Sequence, residues 1–135
     1  SLNPEEISSF VRALKKHRLI NRVAFTHLGR VHREDIIPRL ADFCLQIDGA
    51  EWSVVSGVFH RRVVISVRSD GYGKSAGELV KRLFPDPETA GGHRTMAKVN
   101  IPVADFKKLF HLRSTAALAE VIIDAFISGM EEDKR

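Results

Sequence analysis

Two short segments of this sequence carry side chains that suit the binding of phosphate. The first is Ser66-Val67-Arg68-Ser69, in which an arginine stands between two serines at the end of a run rich in valine and isoleucine. A guanidinium group presents a planar fork of N–H donors that matches two phosphate oxygens, and hydroxyl groups can donate to the remaining oxygens. The segment is therefore a candidate anion site, although ordinary strand ends also carry serine and arginine.

The second segment is the small-residue turn Ala90-Gly91-Gly92-His93-Arg94-Thr95. Consecutive glycines let a ligand approach the backbone closely, and successive exposed N–H groups can surround an anion. The imidazole of His93 could donate a hydrogen bond to a phosphoryl oxygen or to a leaving group. Ser69 and Arg94 are predicted to assist electrostatically, and an exposed loop without a ligand would contain the same two residues.

The sequence offers no metal centre and no activated cysteine. None of the six histidines pairs with carboxylates at a spacing typical of metal ligands. The nearest approach, His32-Arg33-Glu34-Asp35, is explained by favourable negative charge near a helix N-terminus. Cys44, the single cysteine, shares an apolar helical stripe with Leu40 and Phe43, so we predict a buried thiol. We therefore predict no catalytic residue and no metal site in this chain.

The chain has the length and composition of one globular domain. Its 135 residues are 44% hydrophobic and 28% charged, which suffices to bury a core without disulfides. No apolar run approaches the roughly 20 residues that span a bilayer, and the N-terminus has neither a basic start nor an apolar signal region. We therefore expect a cytoplasmic chain without membrane contact. The missing initial methionine favours a piece of a longer protein.

The net charge of +4 is unevenly distributed along the chain. Residues 1–59 carry 8 basic and 7 acidic side chains, residues 60–113 carry 11 and 5, and residues 114–135 carry 2 and 5. Both candidate segments fall in the basic middle part, whose excess suits a modest anionic partner such as a nucleotide or a short oligonucleotide. A solvated basic face without a partner explains the same numbers, so the charge alone does not decide.

The spacing of apolar residues predicts an α/β (α+β) fold: a mixed central β-sheet with an antiparallel hairpin, flanked by helices, plus a long C-terminal helix. A capping box at Asn3 begins the first helix, and Asp48-Gly49 ends the second, with Pro38 in its first turn. The predicted elements are a helix from 3, a strand over 22–28, a helix over 36–47, strands over 51–59 and 62–67, a helix from 75, a strand over 96–101 and a helix from about 114.

The apolar stripe of the C-terminal helix is wider than one buried face requires, because Ile123 and Ile127 extend it. This width predicts contact with a partner surface, either in a homodimer or with a further domain of the same polypeptide. A helix wedged deeply into its own core is the alternative.

Taken together, the two phosphate-binding segments resemble the C-terminal, DHH-associated substrate-binding domain of the DHH phosphoesterase family. That family includes RecJ-type exonucleases, nano-RNases and exopolyphosphatase-related proteins. The resemblance covers about residues 21–102, and it divides the chain into a connector helix (1–20), a substrate-binding domain (21–113) and a C-terminal helix and tail (114–135). It implies that the N-terminal catalytic DHH domain is absent from this chain.

The resemblance also implies a division of roles. The absent catalytic domain would hold manganese or magnesium, and it would be the partner of this chain. The substrate-binding residues would be those that match the family's motifs or flank them: Ser66, Arg68, Ser69, Gly91, Gly92, His93 and Arg94. Family members commonly continue the glycine motif with small residues, whereas Lys98 and Val99 stand here, which places the binding geometry in question.

Several functions and substrates stay open at this stage. A standalone nucleic-acid-binding module is the main alternative, although Trp52 and Tyr72 are the only residues of their types and provide little stacking surface. A dimerisation module is a third candidate. A substrate clamp predicts that Arg68 and His93 line one pocket, whereas a general binder predicts basic side chains along a groove. The substrate could be an oligoribonucleotide, single-stranded DNA, phosphoadenosine phosphate, a cyclic dinucleotide or polyphosphate.

Overall fold

The centre of the fold is a six-stranded sheet, which a computed structural model describes together with the rest of residues 2–132. The strands are β1 (Arg18–Ile20), β2 (Val23–Arg30), β3 (Trp52–Phe59), β4 (Arg62–Ser69), β5 (Ala90–Gly92) and β6 (Met96–Pro102). The helices are α1 (Pro4–Lys16), α2 (Ile36–Cys44), α3 (Ala76–Leu83), α4 (Val103–Leu109) and α5 (Leu118–Glu132).

The sheet is mixed, as predicted from the sequence. Its strand order is β1-β2-β3-β4-β6-β5, and only β2 and β3 of these neighbours run parallel. Helix α2 forms the crossover that a parallel pair requires. The predicted hairpin of β3 and β4 is confirmed, and its turn residues His60 and Arg61 have φ values of 48° and 63°. Two successive positive φ angles define a type I′ turn, which matches the twist of the strands.

The two faces of the sheet are covered by different helices. Along β4, Val63, Ile65 and Val67 point into the larger core, which α3, α4 and α5 complete. Val64 points to the opposite face, where α1 and α2 cover the smaller core. Because side chains alternate along a strand, Ser66 and Arg68 lie on the same face as Val64. The first candidate segment therefore faces the α2 side of the sheet.

The predicted starts of α1 and α3 are correct, whereas the end of α2 and the start of α5 require correction. Asn3 and Glu6 form the predicted capping box, and Pro38 lies in the first turn of α2. Helix α2 ends at Cys44 rather than at Asp48-Gly49, and α5 begins at Leu118 rather than near residue 114. Three short elements, β1, β5 and α4, were not predicted, because none is long enough to show a periodic apolar pattern.

Cys44 is buried, as predicted, whereas Phe43 is 49% exposed. The buried stripe of α2 contains Ile36, Ile37, Leu40, Ala41 and Cys44. Position 43 falls beside this stripe, so its ring contacts Phe10 of α1 at the surface instead of entering the core. Placing Phe43 in the core stripe was therefore wrong.

The wide apolar stripe of α5 packs against the chain's own core. Leu118, Ile122, Ile123 and Phe126 are buried in the larger cluster. Val121, Ile127 and Met130 are partly buried against the same cluster. The alternative of a helix wedged into its own core therefore explains the width of the stripe without a partner surface.

This packing predicts that Phe126→Ala destabilises the isolated chain strongly. Removing a fully buried phenyl group leaves a cavity, so we expect a loss of about 3–5 kcal/mol in the free energy of unfolding. The matched control is Phe43→Ala, for which we expect about 1 kcal/mol or less because that ring is half exposed. Urea unfolding followed by circular dichroism measures both. Similar values for the two variants would contradict burial of α5 in the core.

Candidate functional site

A cleft on the α2 side of the sheet contains most of the backbone and side chains that the sequence singled out. Ser66 pairs with Lys98 between β4 and β6, and Lys98 pairs with Gly91 between β6 and β5. Arg68 pairs with Met96 in the same ladder. The cleft has a volume of about 430 Å³. Its lining residues are Glu34, Asp35, Pro38, Val64, Ser66, Arg68, Gly91, Gly92, Met96, Ala97 and Lys98. We call it the β4–β6 cleft.

Arg68 is the most buried cation of the cleft, with only 8% of its surface exposed. Its Nε donates to Oδ1 of Asp42 at 2.6 Å, and Nη1 donates to the carbonyl oxygen of Val67 at 3.0 Å. Asp42 lies near the end of α2 and is itself well exposed. These contacts hold the guanidinium group in one orientation at the wall of the cleft. An incoming phosphate would share this group with Asp42 or displace the carboxylate from it.

The two glycines of the second segment differ in what surrounds them. A Cβ atom added to Gly92 would lie 2.3 Å from the carbonyl oxygen of Met96, and the φ angle of Gly92 is +153°. Glycine is therefore required at this position for the backbone to fold. A Cβ atom added to Gly91 would meet nothing within 4 Å. The fold does not require a glycine there, so the open space beside Gly91 is available to a ligand.

Lys98 lines the cleft and was not among the predicted site residues. Its Nζ lies 3.0 Å from Oε1 of Glu34, which also accepts a hydrogen bond from Nδ2 of Asn100 at 3.2 Å. Val99 points to the opposite face and is fully buried in the larger core. Of the two residues that replace the family's small residues, Lys98 therefore adds one cation to the cleft, and Val99 lies outside it. The alternation of Ala97, Val99 and Ile101 with polar neighbours was the signal in the sequence.

Ser69, His93 and Arg94 do not line the cleft. The backbone N–H of Ser69 donates to the carbonyl of Thr95 at 3.0 Å, and its hydroxyl group donates to the carbonyl of Arg94 at 3.3 Å. The side chains of His93 and Arg94 are exposed on the β5–β6 turn. Arg94 lines a separate hollow with Lys74 and Arg82. The structure therefore brings Ser66, Arg68, Gly91 and Gly92 together in one cleft.

The β5–β6 turn is bonded to the first turn of α3. The N–H groups of Ala76 and Gly77 donate to the carbonyl oxygens of Arg94 and His93, both at 2.8 Å. A Cβ atom added to Gly77 would lie 2.6 Å from the carbonyl oxygen of Gly92. Gly77 is therefore a residue on which the site depends and which sequence reasoning missed. Its position two residues after the helix N-cap Ser75 gave no signal of this contact.

The lining of the cleft carries no net formal charge. Arg68 and Lys98 stand against Glu34 and Asp35. Asp35 accepts hydrogen bonds from the Arg33 side chain, which lowers the pKa of this carboxyl group below its ordinary value. Asp35 is therefore ionised at neutral pH. The basic excess of residues 60–113 is not concentrated in this cleft.

Three further properties concern residues outside the cleft. Among residues 2–132, no three His, Cys, Asp or Glu side chains are grouped so that they could hold a metal ion. The same residues contain no helix that is long and apolar enough to cross a membrane. Burial raises the pKa of the Cys44 thiol to about 11.

Comparison with known proteins relates the fold to larger proteins. No family model matches the chain. The uncharacterized protein MJ1633 of Methanocaldococcus jannaschii is 26% identical over 138 residues, which cover 99% of this chain and 28% of that protein. An exopolyphosphatase-related protein from Bacteroides fragilis has a similar structure, with a TM-score of 0.70 and 15% identity over 98% of this chain and 36% of its own.

Two other solved structures share the fold. The pGpG-specific phosphodiesterase PggH from Vibrio cholerae matches 92% of this chain and 39% of its own, with 12% identity and a TM-score of 0.56. RecJ from Thermus thermophilus matches 77% of this chain and 15% of its own, with 18% identity and a TM-score of 0.56. The chain thus spans less than half the length of each of these relatives. The solved structures confirm the resemblance to DHH-family phosphoesterases at the level of the fold.

The contrast between Gly77 and Gly91 predicts that the same substitution is destabilising at position 77 and nearly neutral at position 91. Alanine favours a helix over glycine by about 1 kcal/mol, yet Gly77→Ala forces α3 away from the β5–β6 turn. We expect a net loss of about 1–3 kcal/mol in stability, as for other overpacked sites. Gly91→Ala is the control, and its free energy of unfolding should lie within about 0.5 kcal/mol of that of the natural chain. Denaturant unfolding compares the two, and a stabilised Gly77→Ala variant would contradict the close contact.

The raised pKa of Cys44 predicts a thiol that resists alkylation. At pH 8 a thiol that titrates near 11 holds roughly two orders of magnitude less thiolate than an ordinary one titrating near 8.5. Burial blocks access as well, so iodoacetamide should label the folded chain far more slowly than the chain in guanidinium chloride. Mass spectrometry over time measures both rates. Equal rates in the folded and unfolded chains would contradict the prediction.

Proposed function

We propose that this chain is the substrate-binding domain of a DHH-type phosphoesterase and that the β4–β6 cleft holds a phosphate group of a nucleotide or short oligonucleotide. The observation that carries the proposal is the strand register, which aligns Ser66, Lys98 and Gly91 across three strands and sets Arg68 beside them. The fold shared with RecJ and an exopolyphosphatase-related protein supports it. Both of the predicted phosphate-binding segments contribute to the lining of this cleft.

The residues of the cleft suit one phosphate group and an apolar moiety attached to it. Arg68 and Lys98 provide two cations that are already oriented by carboxylates. Charge-assisted hydrogen bonds from such groups to phosphate are about twice as strong as neutral ones. Met96, which is 48% exposed, and Pro38 add apolar surface. A nucleotide combines a phosphate with an apolar ring face, so it fits this mixture better than a chain of phosphates does.

Hydrolysis in this proposal belongs to a second domain of a longer protein. A metal ion such as manganese or magnesium would there polarise the phosphoester and activate water. The donor set of residues 2–132 does not suit such an ion, because it contains no group of three metal-ligating side chains. We therefore assign no catalytic step to the residues of this chain. Its role would be to bind and orient the substrate, and the isolated chain would be inactive.

The test is an NMR titration of the chain with adenosine monophosphate and with a short oligoribonucleotide. We expect chemical-shift changes at the amides of Arg68, Gly91 and Gly92. Arg68→Ala should weaken binding by roughly 10- to 150-fold, since a hydrogen bond from a charged group contributes about 1.5–3 kcal/mol. The matched control is Arg22→Ala, which removes an arginine from an exposed ion pair with Glu51 of the same 2.6 Å length.

Gly91→Val provides a second variant that leaves the Arg68–Asp42 pair intact. Its side chain would project into open space, so the chain should fold while the cleft loses room for a ligand. Loss of binding in both cleft variants, with Arg22→Ala unaffected, would support the proposal. Undiminished affinity in Arg68→Ala and Gly91→Val would refute it.

A further inference from the structure

The end of the sheet opposite to the Arg68 end of β4 carries a second cluster of basic side chains. Strands β2 and β3 are parallel, so their C-terminal ends meet there, next to the β3–β4 turn. The N–H of Val31 donates to the carbonyl oxygen of Val58 at 2.9 Å and holds the chain after β2 beside that turn. We call this cluster the basic edge. Its residues are Arg12, Lys16, Arg30, His32, Arg33, His60 and Arg61.

Two adjoining crevices make the basic edge concave. The first lies between α1 and the end of β2, and its lining includes Arg12, Lys16 and Arg30. The second lies beside the β3–β4 turn and is lined by His60 and Arg61. Both crevices share the segment from Arg30 to His32. Basic side chains therefore line two crevices that adjoin at this segment, and we call the two crevices together the groove.

The charge of the basic edge is largely unneutralised. The groove contains five Lys and Arg side chains against two carboxylates, Glu5 and Glu6, which is a formal excess of +3 in a chain whose net charge is +4. Lys16, Arg30 and Arg61 form no ion pair within residues 2–132. In contrast, both cations of the β4–β6 cleft are paired. Unpaired cations in a groove create a positive potential that attracts an anionic partner.

We propose that the basic edge binds the phosphate backbone of single-stranded nucleic acid. A groove lined by cations can follow a flexible phosphodiester chain, which is how proteins bind single strands without reading their sequence. His60 is exposed and stacks on Phe59 with ring centroids 3.9 Å apart. This contact holds a flat ring at the groove on which a base can stack.

A membrane surface fits the basic edge poorly. Binding in a lipid interface needs large apolar side chains that insert next to the cations. Seven such side chains are exposed in residues 2–132, and none of them lines either crevice. They are Ile7, Val11, Leu19, Phe43, Tyr72, Met96 and Leu109.

The basic edge and the β4–β6 cleft lie on either side of one loop. His32 and Arg33 line the groove, whereas Glu34 and Asp35, the next two residues, line the cleft. A nucleic acid strand held at both places would cross this loop. The proposal does not rest on the proposed function, because the groove binds the backbone whether or not the cleft holds a phosphate.

The test is fluorescence anisotropy of a labelled oligoribonucleotide with the full chain over a series of salt concentrations. The variant is Arg30→Gln combined with Arg61→Asn, since asparagine tolerates the positive φ of residue 61 in the type I′ turn. We expect weaker binding and a slope of log K against log salt that is smaller by about 1.4, at roughly 0.7 per lost phosphate contact. Circular dichroism confirms that the variant is folded.

The matched control is Lys108→Gln combined with Arg113→Gln, which removes the same charge from exposed positions outside the groove. An equal loss of affinity in this control would overturn the proposal, because net charge alone would then explain binding. An unchanged salt slope in the basic-edge variant would overturn it as well. The Arg30→Gln, Arg61→Asn variant should bind adenosine monophosphate as tightly as the natural chain, which separates the basic edge from the cleft.

Co-sedimentation with lipid vesicles tests whether the basic edge binds a membrane instead. Vesicles of phosphatidylcholine and phosphatidylserine should not retain the chain on sedimentation at physiological salt. Retention that is lost in the Arg30→Gln, Arg61→Asn variant, together with undiminished oligonucleotide binding by that variant, would assign the basic edge to membranes and refute the proposal.

Discussion

The arrangement of the β4–β6 cleft depends on the contact between the first turn of α3 and the β5–β6 turn. The N–H groups at the start of a helix have no acceptor within the helix, and here the carbonyls of His93 and Arg94 accept two of them. The contact is possible only because Gly77 lacks a side chain, and the turn itself requires glycine at position 92, where a Cβ atom would clash with β6. It fixes β5 beside β6 so that Gly91 stands next to Lys98. Without it, β5 would be a three-residue edge strand with little to hold it in place.

The β4–β6 cleft and the basic edge both contain cations, but their electrostatics differ. In the cleft, each cation faces a carboxylate, so a ligand must compete for groups that are already paired and oriented. Such a site selects its ligand by geometry. At the basic edge, Arg33 is paired with Glu6 and Asp35, but Lys16, Arg30 and Arg61 form no ion pair within residues 2–132, so attraction there is longer in range and is screened by salt. Under the two proposals, a nucleic acid strand would be attracted by charge at the basic edge and positioned by shape in the β4–β6 cleft.

The periodicity of apolar residues predicted the long helices and strands of this fold. Elements that depend on contacts with distant residues were not predicted. The capping box at Asn3 and the β3–β4 hairpin follow from neighbouring residues and were correct. The three-residue strands β1 and β5 exist because longer strands pair with them, which a local pattern does not record. Phe43 was misplaced for a similar reason, since its helix turns position 43 away from the sheet.

The candidate site could be predicted only in part, because its side chains are positioned by strand pairing and by the contact with α3. Residue types alone grouped His93 and Arg94 with the glycines, yet the backbone of these two residues caps α3 while their side chains are exposed. Alternation along β6 places Lys98 in the cleft and Val99 outside it, but only the strand register, which the sequence does not state, sets Lys98 beside Ser66 and Gly91. The imidazole of His93 can therefore act only on a group that extends beyond Gly92, out of the cleft. In the proposed function, a role for His93 would therefore depend on how a second domain presents the substrate to it.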